Sequence, residues 1–184
     1  SNPFNNSMGP IHISGDISVE SGVKLEINNL EIRFDSNSDL TIKKGSVLKL
    51  NDSKLTSYAC SRNMWQGINL LSSSSTSQTN SENVTWMIGR LVITNSIIEN
   101  ALIAIEVGTM FSNSGGFVKA NNCTFLNCQK GVVFKKYFLT QFSKFTKCKW
   151  VINQVLINPD LPLEPMVTLN AMTQPIDFKG CTFV

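Results

Sequence analysis

The sequence predicts an all-β chain wound as a right-handed parallel β-helix, a solenoid of stacked coils. Three observations carry that expectation: a repeat of 20 to 27 residues, short alternating strands inside each repeat, and no helical pattern between them.

The repeat is clearest in the middle of the chain. Asn95-Ser96-x-Ile98-x-Asn100-Ala101 returns 27 residues later as Asn122-Cys123-x-Phe125-x-Asn127-Cys128, and Ala104, Ile105 and Val107 then meet Gly131, Val132 and Phe134. A third copy is read at Ser143-x-Phe145-x-x-Cys148, shifted by 20 from Cys123, Phe125 and Cys128, and a last partial copy at Gly180-Cys181-x-Phe183. The first third repeats with a period of 23: Gly22-Val23-x-Leu25-x-Ile27 returns as Gly45-x-Val47-x-x-Leu50. Between these copies Leu30, Ile32 and Phe34 alternate with Glu31 and Arg33, and Leu40 and Ile42 flank Thr41.

Strict alternation over four to six residues means strands with one buried face. Parallel pairs joined by helices need long helical crossovers, and none is written here. A meander of hairpins favours two-residue Asn-Gly or Asp-Gly turns, and the chain has neither. Coils stacked about 4.8 Å apart satisfy both constraints, because each buries its inward residues against its neighbours. Equivalent positions then form ladders. Ser96, Cys123, Ser143 and Cys181 are expected to form one ladder of small residues at a tight bend, and Ala101, Cys128 and Cys148 another. In that alignment Cys128 and Cys148 come within disulfide reach, with packed free thiols the preferred state.

The chain is read as one domain over 1–184, a piece of a longer protein, with two departures from the rhythm. Residues 71–83 are a polar excursion rich in Ser and Thr, and 158–175 hold four of the six prolines. Insertions of this kind leave a solenoid at its bends.

Composition narrows the function. Hydrophobic residues are 42% and charged residues 16%, which supports a packed core and excludes a disordered chain. Sixteen Lys and Arg against thirteen Asp and Glu give a net charge of +3, and only Arg33, Arg62 and Arg90 are arginines. The basic group Lys144, Lys147 and Lys149, near Lys135 and Lys136, is read as a solvated face, so no nucleic-acid partner is expected. Five cysteines and the single His12 match no zinc spacing, and no metal or cofactor is expected. No run reaches the roughly 20 apolar residues that span a bilayer, so no transmembrane segment is expected.

The order Gly-Val-x-Leu-x-Ile, Met64-Trp65-x-Gly67-Ile68 and Asn95-Ser96-x-Ile98-x-Asn100-Ala101 resembles secreted β-helix surface proteins of Bacteroidota, pectate-lyase-like in fold and often carried by the type IX secretion system. The resemblance covers about residues 17–184. It implies an extracellular or outer-membrane location. The chain departs from that pattern in lacking a sorting domain and in stopping mid-coil at Val184. The expectation is that the native chain continues or that a protein module or subunit covers that end.

Chemistry is sparsely written. Lyases on this fold use clustered carboxylates with a Lys or Arg base, and glycosidases use paired acids about 5 to 9.5 Å apart. No acid occurs between Glu106 and Asp160, across the best-formed coils, so no catalytic residue is assigned. Asp35-Ser36-Asn37-Ser38-Asp39 opens like a calcium loop but has Leu40 where glycine belongs and Ser46 at the twelfth place, and is read as a polar turn. No Gly-x-Ser-x-Gly elbow or phosphate-cradling glycine loop occurs. Trp86 and Trp65 are the candidate ligand contacts, as stacking platforms for surface glycans. Two functions follow: a non-catalytic secreted or cell-surface structural and interaction module, adhesin-like or part of an envelope complex, or a carbohydrate-active or carbohydrate-binding protein with its catalytic parts elsewhere.

Overall fold

Every second residue is apolar in Ile32-x-Phe34, Leu40-x-Ile42 and Leu48-x-Leu50, so each short segment can bury only one face. In the computed structural model, which describes residues 9–58, 63–72, 87–109, 115–172 and 174–184, these segments are strands of a repeating coil. The first coil holds β1 (Ile11–Ile13), β2 (Ile17–Val19) and β3 (Lys24–Asn28), and the second β4 (Glu31–Phe34), β5 (Asp39–Ile42) and β6 (Val47–Asn51). The third holds β7 (Lys54–Ser57), β8 (Trp65–Leu70) and β9 (Arg90–Thr94), and the fourth β10 (Ile97–Glu99), β11 (Ala101–Val107) and β12 (Phe117–Asn121). The fifth holds β13 (Thr124–Leu126), β14 (Lys130–Phe134) and β15 (Lys144–Thr146), and the sixth β16 (Lys149–Val151), β17 (Val167–Leu169) and β18 (Asp177–Lys179). Strand β19 (Thr182–Phe183) stacks on β16.

First, second and third strands of the coils line up as parallel sheets A, B and C, of seven, six and six strands among the described residues. The molecule is a right-handed parallel β-helix. No helix among the described residues is long and apolar enough to cross a membrane.

Register converts the repeat into a core. On sheet A the inward ladder runs Ile32, Leu55, Ile98, Phe125, Trp150, Phe183. On sheet C it runs Ile27, Leu50, Ile93, Ala120, Phe145, Phe178. In the fifth coil one phenylalanine from each sheet reaches the centre: Phe145 meets Phe125 edge-on at 6.2 Å and Phe134 at 6.3 Å.

The tightest corner, from sheet C to sheet A, is always two residues long. Its first residue has positive φ in every coil: Asn29 (51°), Asp52 (49°), Asn95 (51°), Asn122 (54°), Lys147 (54°) and Gly180 (63°). Asn, Asp and Gly tolerate the left-handed region, which explains the Asn of the repeat. The side chains also ladder, with Asn122 Nδ2 donating to Asn95 Oδ1 at 2.9 Å and Asn95 Nδ2 to Asp52 Oδ1 at 3.1 Å.

Measured by this corner, successive coils advance by 23, 43, 27, 25 and 33 residues. The shift of 20 read for the third copy is therefore replaced by 25. Thr124 pairs with Lys149 and Phe125 with Trp150, whereas Phe145 lies on sheet C. The small-x-aromatic-x-x-Cys pattern occurs twice in one coil, at two different corners, which is why it misled. The proline-rich stretch 158–175 also differs from a single excursion, because it contains β17, a rung of sheet B. Three residues between Pro165 and Pro175 are too few to show a period. The polar excursion leaves sheet B after Leu70, and Ser72 and Ile88 close its base as an antiparallel bridge; residues 73–86 lie outside the described part.

The turn makes a direct prediction. Replacing Asn122 by Gly should leave stability within about 0.5 kcal/mol, while Asn122→Val should cost about 1–2 kcal/mol for a Cβ-branched residue in the left-handed region. Urea unfolding of the two variants measures both.

Candidate functional site

Outward residues obey the same register as inward ones, so the outer wall of sheet C carries its own ladders. Glu26, Lys49, Val92, Lys119, Lys144 and Asp177 stand in one file. Asn28, Asn51, Thr94, Asn121, Thr146 and Lys179 stand in the next. Glu26, Lys49, Val92, Lys119 and Lys144 of the first file and Asn51, Thr94, Asn121 and Thr146 of the second line an open groove of about 350 Å³, with Ala120 in its floor. Lys119 and Lys144 are directly opposed across one strand spacing, an arrangement of like charges that is unfavourable by itself. Glu26 and Asp177 sit at the two ends of the file, with Lys49, Lys119 and Lys144 between them. Asn51 Nδ2 donates to Asn28 Oδ1 at 2.8 Å, which orients the polar file.

The same wall has a covered edge. Alternation points Arg90 and Phe117 outward, yet both are fully buried, with the guanidinium 5.1 Å from the ring centre. Val47 beside them is buried too. The open part of the wall is thus the strip carrying the two files.

Carboxylates elsewhere are engaged with neighbours. Glu99 pairs with Lys54 at 2.7 Å and accepts from Thr56, Glu106 pairs with Lys135 at 3.3 Å, and Glu164 with Lys130 at 3.0 Å. In the polar turn 35–39 the two aspartates face different partners. Asp35 takes a 2.7 Å hydrogen bond from His12, which holds its carboxyl below the usual range, and Asp39 accepts from Thr41 and Asn69. Among the described residues no group of three or more His, Cys, Asp or Glu could hold a metal ion.

Trp65, a candidate ligand contact, lies in the interior. It is fully buried, stacked on Phe34 at 4.4 Å, and its indole N–H donates to Glu99 O at 2.9 Å. Its place follows from Gly67 two residues on: a Cβ there would lie 1.6 Å from Ile103 O, so the Trp-x-Gly motif is a tight inter-coil fit. Trp150 is likewise buried, between Phe125 and Phe183. Trp86 lies outside the described residues.

The small-residue ladder occupies the second position of the C-to-A corner. Ser96, Cys123 and Cys181 stand there, preceded by Ser53, but Cys148 takes the rung assigned to Ser143. Ser143 instead precedes β15, where its Oγ accepts from Val118 N at 2.9 Å. Ala101 and Cys128 share the second ladder without Cys148, and Gln129 N donates to Ala101 O beside them. Corner side chains repeat one contact. The hydroxyl of Ser53 or Ser96, or the thiol of Cys123, Cys148 or Cys181, donates to the carbonyl two residues earlier at 2.7 to 3.8 Å. The four described cysteines are free thiols.

Thiol reactivity follows burial, since the thiolate is the nucleophile. Burial pushes Cys128 up to about 12, and its hydrogen bond to Cys123 together with burial pushes Cys148 up. Cys181 is raised by partial burial but is reachable by solvent. Brief alkylation of the folded protein near pH 8 should modify Cys181 well before Cys128 or Cys148, read by peptide mass mapping. Equal labelling of Cys128 would contradict the burial described.

Comparison with family models, curated proteins and solved structures finds no match to this chain.

Proposed function

We propose that the chain is a non-catalytic interaction module of a secreted or cell-surface protein, adhesin-like, working through the outer wall of sheet C. One observation supports this reading above others: Lys49, Lys119 and Lys144 stand in one file beside a file of Asn and Thr, along an open groove. Rungs recur about every 4.8 Å, close to the advance of one sugar along an extended glycan. A polymer carrying regular negative charge would meet cations on one side and amide or hydroxyl groups on the other.

The setting, extracellular or on the outer membrane of a Bacteroidota cell after type IX export, is proposed from the sequence resemblance. The second reading, a carbohydrate-active protein of the pectate-lyase-like class, draws on the same groove and differs in requiring turnover.

Immobilised anionic and neutral polysaccharides separate these readings. The expected result is binding to the anionic polymer, weakened by salt, with no unsaturated or shortened product. Each exposed ion pair contributes about 0.2–1 kcal/mol, so Lys119→Glu with Lys144→Glu should weaken binding about tenfold or more. Indifference of binding to the double variant would reject the sheet C wall, and product formation would favour the enzyme.

A further inference from the structure

We propose that Cys148 and Cys181 are a disulfide-forming pair, a covalent staple between the last two rungs of the corner ladder, closed by a low-molecular-weight disulfide. The register fixes them on top of each other. Thr146 pairs with Lys179 just before the corner and Lys149 with Thr182 just after it. Lys147 N donates to Lys179 O at 2.8 Å and Thr182 N to Cys148 O at 2.9 Å, so the corner itself is in register. Stacked rungs place Cα atoms about 4.8 Å apart, inside the window of about 4.4–6.8 Å that a disulfide bridges. Both sulfurs also point the same way, each toward the carbonyl two residues earlier, at 3.4 Å for Cys148 and 3.8 Å for Cys181.

Cys148 is the middle thiol of three, with Cys123 on its other side. One difference favours the outer pair: Cys123 is buried, whereas Cys181 is partly exposed and is the thiol an external disulfide reaches first. Parallel Cβ vectors leave the Cβ atoms near the strand spacing, wider than the mean of about 3.8 Å in disulfides. Closure must draw one rung inward. A bond formed under that tension is readily reduced, so the staple is reversible.

The chemistry balances in two exchanges. The Cys181 thiolate attacks the external disulfide, forming a mixed disulfide and releasing one external thiolate. Cys148, as its thiolate, then attacks the Cys181 sulfur, forming the internal bond and releasing the second. Both protein protons end on the two external thiols, and the external disulfide is the species reduced.

Glutathione disulfide and the folded full chain provide the test. The wild type should lose the mass of two hydrogens, retain no glutathione, and yield a peptide linking Cys148 to Cys181. Cys148→Ser should retain one glutathione on Cys181, Cys181→Ser should form neither product, and Cys123→Ser should behave as wild type. Thermal melts of each variant confirm folding, and Cys181→Ser alters only the partly exposed rung. A glutathione adduct that persists on wild-type Cys181, no reaction in the folded state, or a bridge joining Cys148 or Cys181 to another cysteine would overturn the proposal.

Discussion

The two-residue corner from sheet C to sheet A is the constraint on which the rest of the molecule depends. Its left-handed first residue turns the chain in the least possible length, and its N–H donates to a carbonyl of the next coil, as Asn95 N does to Asn121 O at 3.0 Å. From the second corner on, the second residue returns its hydroxyl or thiol to its own coil. Because nothing can be inserted here without breaking both contacts, every coil resumes in the same register however long it has become elsewhere. A corner of variable length would let one strand slip by a residue and turn its apolar face outward.

Variation in coil length therefore falls on the other two corners and on the strands themselves, which run from three to seven residues in sheet B. Residues 71–89, 108–116, 135–143 and 170–176 separate a strand of sheet B from the next of sheet C, and 58–64 and 152–166 one of sheet A from the next of B. The walls stay continuous while the bends elaborate. Inside, continuity yields aromatic stacks such as Phe125, Trp150 and Phe183, with ring centres 4.8 Å apart at each step. Outside, it sets distant residues in files, and one file of sheet C holds Lys49, Lys119 and Lys144. A single physical device thus produces both the core and the most distinctive surface.

Much of this was legible in the sequence, and the reason is local. Offsets of 23 and 27 are true registers, because Ile27 and Leu50, or Ile98 and Phe125, occupy equivalent rungs. Both asparagines of the repeat, Asn95 and Asn100 with their copies Asn122 and Asn127, have positive φ, so their recurrence reported backbone shape. The third copy was misplaced because Lys147 and Gly180 stand where asparagine was expected, leaving the small-x-aromatic pattern as the only marker. Strand β17 escaped because three residues carry no period. The lysine file was hidden for a different reason. Lys49, Lys119 and Lys144 lie far apart in the chain and become neighbours only once coil lengths of 43, 27 and 25 are known. Trp65 was the opposite case, a conspicuous aromatic that is buried and stacked on Phe34.

Cross-strand proton contacts in solution test the stacking most directly. Nuclear Overhauser effects should connect the backbones of Ile98, Phe125 and Trp150 in turn, each with the neighbour one coil away. Parallel pairing predicts amide-to-α contacts between strands and no close α-to-α contacts. Strong α-to-α contacts among these strands, or contacts linking Phe145 rather than Trp150 to the backbone of Phe125, would contradict the coil register from which the core, the lysine file and the thiol ladder all derive.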